Sequence, residues 1–259
     1  MKDVLADLEA ETADLDAILG PLPDDQWDAV TPAEPWTIRD QVGHLAFFDD
    51  KAAQAASDPE GFDRDLQAVF DLGMDGYLGQ HIDTARAMTP PQVHEWWSAS
   101  RSHVIDVLGA HDDEDRLPWY GPPMRASSFA TARLMETWAH GLDIADALGV
   151  QRTPTDRLLR IADLGVRTFR FSFENRGLAA PQDRVRVALR APSGKVAVWN
   201  DEWDQSVTGP VEEFCQVIAQ RRHVDDTHLV TEGPLARQWM ELAQVFAGPP
   251  GPGREPESR

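Results

Sequence analysis

Apolar positions along the first 150 residues recur at helical spacing. Val4, Leu5, Leu8, Leu15, Ile18 and Leu19 mark one face of a first helix, and Gly20-Pro21 ends it. A loop rich in Pro, Asp and Trp follows, from Pro21 to Trp36. Thr37-Ile38-Arg39-Asp40 then reads as a capping box: the Thr hydroxyl caps the new helix and the Asp at its third position reaches back. That helix is expected to run to about Ser57, where Asp58-Pro59 stops it, and further helical patterns cover roughly 62–88, 91–109 and 127–148. Leu117 to Pro123, with three prolines and a glycine, reads as a rigid loop. Long helices with short connections predict a four-helix-type bundle.

After Gly149 the period changes. Thr153-Pro154-Thr155-Asp156 opens a helix expected to end near Phe173. Arg184 to Arg190 alternates charged and apolar residues, Pro192-Ser193-Gly194-Lys195 is a turn, and Val196-Ala197-Val198-Trp199 is a returning strand. Two amphipathic helices are expected over 210–221 and 234–246. The fold class is therefore α+β: a helical bundle over 1–148, a small α+β domain over 149–247, and a loose polar tail over 248–259.

Charge sharpens this division. The net charge is −20, and residues 1–148 hold 29 Asp/Glu against 9 Lys/Arg, so the whole excess lies in the bundle. Such a field repels nucleic acid and anionic membrane, and an anionic substrate would need a local cation. No apolar run is long enough to span a bilayer. The acidic N-terminus does not read as a signal peptide, and the single cysteine, Cys215, excludes an internal disulfide framework, so a cytoplasmic setting is expected.

The candidate chemistry lies in the bundle. Glu136 and His140 are four apart on an expected helix, which puts a carboxylate and an imidazole one turn apart on one face. Alone, such a pair is as well explained by an exposed ion pair. His44, within the apolar stretch Val42 to Phe48, offers a third ligand from a second helix. Three protein ligands with an open fourth position is the usual form of a catalytic zinc site, and Ni, Fe or Mn suit the same donors. His81, His94, His103 and His111 lack such a pattern and read as surface or structural residues. Asp143, three residues after His140, reads either as its outer-sphere partner or as an exposed charge. Cys215, between Phe214 and Val217, reads as packing rather than as a nucleophile. Trp36, Trp119 and Trp138 fit either a cleft wall or the core.

The first part resembles the DinB-like metal-binding bundles, and within them the N-terminal domain of mycothiol-dependent maleylpyruvate isomerases. The resemblance lies in a tryptophan loop before a helix with one histidine, then a late helix with Glu and His four apart: here Trp36, His44, Glu136 and His140. The second part, through Val207 to Cys215, Gln220-Arg221-Arg222 and Ala243 to Gly251, resembles the C-terminal half of an actinobacterial relative labelled for wyosine base formation. The resemblance implies a divalent metal on His44, Glu136 and His140, mycothiol as thiol cosubstrate and a catalytic arginine at Arg221; Trp36 and Arg222 are expected to contribute to cofactor binding. A guanidinium at Arg221 would clamp a carboxylate; the same residue also reads as a helix-end charge.

These readings converge on a metal-dependent enzyme that activates a low-molecular-weight thiol for addition to an electrophilic small molecule, as S-transferase or cis-trans isomerase. Two others stand beside it: a thiol-independent hydrolase, lyase or tailoring enzyme using metal-activated water, and a non-catalytic metal- or ligand-binding protein. The expected partners are a small substrate and a thiol, with no nucleic acid or membrane, in a monomer or homodimer.

Overall fold

In the computed structural model, residues 1–257 are described, apart from the side chains at positions 68, 70–72, 74, 75 and 78. The chain divides into two units, Met1–Arg152 and Thr153–Arg259.

The first unit is built on five helices: α1 (Lys2–Leu19), α2 (Ile38–Ser57), α3 (Pro59–Ala87), α4 (Pro90–Gly109) and α5 (Ala126–Leu148). The predicted capping box opens α2. Asp40 N–H donates to the Thr37 hydroxyl at 3.3 Å, and Thr37 N–H donates to the Asp40 carboxylate at 3.0 Å. Asp40 also holds Arg86 of α3, with bonds of 2.9 and 2.8 Å, so the cap ties two helices together. Helix α3 kinks at Gly73, whose φ of 73° a side chain would disfavour. Leu15, Leu19, Trp27, Ile38, Leu45 and Trp97 are among the fully buried residues of the core, where α2 packs on α3 and α4 and α5 packs on α1.

The loop from Leu117 to Pro123 is closed by a two-stranded ribbon, β1 (Arg116–Leu117) and β2 (Met124–Arg125), paired antiparallel. Strands of two residues are too short to show an alternation in the sequence.

The second unit carries α6 (Leu158–Arg167), α7 (Phe169–Glu174), β3 (Arg186–Arg190), β4 (Val196–Trp199), β5 (Ser206–Pro210), α8 (Val211–Ile218), β6 (Val230–Glu232) and α9 (Pro234–Leu242). The strands order β4-β3-β5-β6, with β3 and β5 parallel and the outer pairs antiparallel. The expected hairpin is β3 and β4. The expected single helix up to Phe173 is two, broken at Thr168. Phe169, Phe214 and Trp239 form the aromatic centre of this unit, with centroid separations of 5.1 and 5.7 Å. Among the described residues, no helix is long and apolar enough to cross a membrane.

Candidate metal centre

Helices α2 and α5 bring His44, Glu136 and His140 together. One ligand atom from each lies within 4.8 Å of the others, although the residues come from positions 92 apart in the chain. His140 is buried, while His44 and Glu136 are half-buried, so the cluster opens on one side.

A chain of hydrogen bonds fixes the state of His140. The Thr31 hydroxyl donates its one proton to the Trp36 carbonyl at 2.8 Å. It therefore accepts from the Gln41 amide N–H, 2.9 Å away. The Gln41 carbonyl then faces His140 Nδ1, which must carry the proton and donate it. The remaining nitrogen, Nε2, presents its lone pair 3.2 Å from Glu136 Oε2. Two electron-rich atoms this close require a shared proton or a shared cation. The donor set, two imidazoles and a carboxylate, with an outer hydrogen bond locking one tautomer, fits a divalent metal of the zinc type.

His44 is held similarly. Its Nδ1 lies 3.1 Å from His81 Nε2. His81, read from sequence as surface or structural, is fully buried at this contact. Burial, reinforced by nearby His140 and opposed by Asp40, pushes its pKa down to about 4, so the ring is neutral near pH 7. Trp36 stacks on His140 at 6.0 Å and 15°, and tilts against His44 at 4.9 Å. The loop that carries it is pinned by Thr31 N–H donating to the Trp36 carbonyl at 2.8 Å.

Other expectations fare differently. Asp143, read as an outer-sphere partner of His140 or as an exposed charge, is fully buried, and His140 Nδ1 bonds Gln41. Cys215 is buried and donates to the Leu158 carbonyl at 3.4 Å; burial pushes its thiol pKa well up, as suits packing rather than attack. Trp138 is buried, whereas Trp119 is half-buried on the ribbon loop. Arg221 and Arg222 belong to the second unit. Helix α8 ends at Ile218, and Gln220 turns left-handed at φ 59°, so the arginines follow the helix rather than close it. Both are half-buried, and Arg221 donates to the Ala219 carbonyl at 2.8 Å.

Residues 8–145 match the model of the mycothiol maleylpyruvate isomerase N-terminal domain. The chain belongs to this family. Relatives in two strains of Mycobacterium tuberculosis, both described as uncharacterized proteins, are 44% identical to it over 251 residues, 96% of this chain and 97% of theirs. The crystal structure of the mycothiol-dependent maleylpyruvate isomerase aligns with a TM-score of 0.60 at 14% identity, over 90% of this chain and 94% of that one. A histidine-to-alanine variant of that isomerase aligns with a TM-score of 0.58 at 14% identity, over 85% and 89%. At that identity the likeness establishes the fold.

Gln41→Leu keeps the side chain's volume but removes the acceptor that fixes His140. Isothermal titration with zinc should then show affinity lowered by about 10- to 100-fold. An affinity equal to that of the parent would mean that the amide does not position the imidazole.

Proposed function

We propose that this protein is a divalent-metal-dependent enzyme that uses a low-molecular-weight thiol, mycothiol, to attack an electrophilic small molecule, as an S-transferase or a cis-trans isomerase. The observation that carries the reading is the open cluster of His44, Glu136 and His140 with its locked His140 tautomer. Membership of a mycothiol-linked family supports the choice of thiol over water as the nucleophile. His44, Glu136 and His140 would hold the metal, with zinc the best match to the donors. When bound, the cation supplies Lewis acidity that lowers the pKa of a coordinated thiol.

The chain's own residues do the rest. Gln41 and His81 orient the two imidazoles. Trp36 covers one side of them and limits the approach of water. Thiolate addition gives a thioether; if rotation and elimination follow, the product is the geometric isomer. Arg221 is proposed to hold the acceptor's carbonyl oxygen as it gains negative charge on thiolate addition, with Arg222 assisting cofactor binding, roles that rest on their position in the sequence.

The test is spectroscopic and kinetic. Cobalt-substituted protein titrated with mycothiol should develop a thiolate-to-metal absorption band, and turnover should require the thiol. Arg221→Lys retains charge but loses the planar fork, so kcat/KM should fall by about 10-fold or more with metal content unchanged. A protein that turns substrate over equally well without thiol would instead be a metal-assisted hydrolase or lyase.

A further inference from the structure

From the structure we infer that the acceptor taken by this site is an uncharged, planar electrophile with an aromatic or similarly apolar body, such as an aryl enone; this rests on the thiol-addition reading above. The evidence is what surrounds the three candidate ligands. His44 and Phe48 are four apart on α2 and share a face, with ring centroids 4.6 Å apart. Phe48 meets Trp119 at 6.2 Å and Tyr120 at 5.8 Å, both on the ribbon loop. Trp36 lies against His44 as well. A continuous run of rings thus leads from the cluster along the bundle, and Trp36, Phe48, Trp119 and Tyr120 are all half-buried, as His44 and Glu136 are. The loop is anchored rather than loose, since Trp119 stacks on Phe62 at 5.7 Å and packs edge-on against Phe129 at 4.8 Å.

Charge decides what such a wall can receive. The Tyr120 hydroxyl is hydrogen-bonded to Tyr77 at 2.9 Å, and burial raises its pKa, so it stays neutral. Three basic side chains of the bundle are held in ion pairs: Lys51 with Asp65 at 2.6 Å, Arg86 with Asp40, and Arg133, buried, with Asp49. The helical part of the chain otherwise carries a large excess of carboxylates. An anionic body would meet this excess of carboxylates, whereas a flat apolar body stacks on the rings.

The reaction balances without a further reagent. The thiol loses its proton to solvent, sulfur bonds to the β-carbon, and the C=C electron pair moves to the carbonyl oxygen. The α-carbon then takes a proton from solvent, leaving a saturated thioether ketone.

Binding and turnover separate the two levels of the claim. Metal-loaded full-length protein is titrated with benzylacetone, an unreactive aryl ketone, and with butanone and maleate. Benzylacetone should bind at least about 10-fold more tightly than either, and Phe48→Leu and Trp119→Leu should each weaken it by about three- to tenfold, with metal content retained. Tighter binding of maleate, or variants that bind benzylacetone like the parent, would overturn the inference. Mycothiol with benzylideneacetone should give the thioether, detected by mass, faster than the uncatalysed reaction. If benzylacetone binds on these rings and no adduct forms, the thiol-addition reading fails and the aromatic subsite stands. If maleylpyruvate is turned over with mycothiol and benzylacetone does not bind, the reading stands and the acceptor class is wrong.

Discussion

His140→Ala should abolish the thermal stabilisation that a divalent cation gives the parent protein. A ligand that binds only the folded state stabilises it by about 2.7 kcal/mol at 100 times its dissociation constant. For a chain of this size that raises Tm by about 5–10 °C. The variant loses one of the three candidate ligands, leaving Glu136 and His44 on separate helices. Its own stability should drop by only about 1–3 kcal/mol, the cost of leaving the buried Gln41 carbonyl without a donor. Differential scanning calorimetry with and without zinc reads both quantities. An equal rise in Tm for parent and variant would place the cation elsewhere.

The histidine and glutamate positions were legible because helical spacing is local. Glu136 and His140 announce themselves by being four apart, and Thr37 and Asp40 announce the start of the helix that carries His44. Gln41 was equally within reach, since it lies one turn before His44 on the same helix. A glutamine has no chemistry of its own to draw attention. His81 was out of reach. Its contact with His44 spans 37 residues and depends on how α3 packs on α2, which no local pattern encodes. In the second unit, the alternation of Arg184 to Arg190 exposed one strand, while β6, three residues long and mostly polar, has too few positions to show a period. The expected helix over 210–221 overran because amphipathic spacing continues past Ile218, whereas the left-handed Gln220 stops the backbone.

The least visible feature from sequence has the largest expected effect on stability. Asp49 of α2 is fully buried between Arg101 of α4 and Arg133 of α5, with bonds of 2.9 and 3.1 Å to their Nε atoms. Burial lowers the Arg101 pKa, with Asp49 opposing, yet a guanidinium does not give up its proton in a protein. Asp49→Asn keeps the shape and deletes the charge that both cations share. Removing one partner from a buried ion pair costs about 3–5 kcal/mol. That is a large part of the roughly 5–15 kcal/mol by which a domain is stable. Chemical denaturation should therefore show a midpoint far below the parent's, and replacing all three residues by apolar ones of similar volume should recover most of the loss. The consequence reaches the candidate metal centre. Asp49 lies five residues after His44, and Arg133 three before Glu136, so the pair fixes how α2 and α5 sit against each other. Slippage there would separate His44 from Glu136 and His140. Still-folded Asp49→Asn protein should accordingly bind zinc more weakly than the parent. Unchanged stability would show that the arginines find other compensation; unchanged zinc affinity in a destabilised variant would show that the helix register is set elsewhere along the seam.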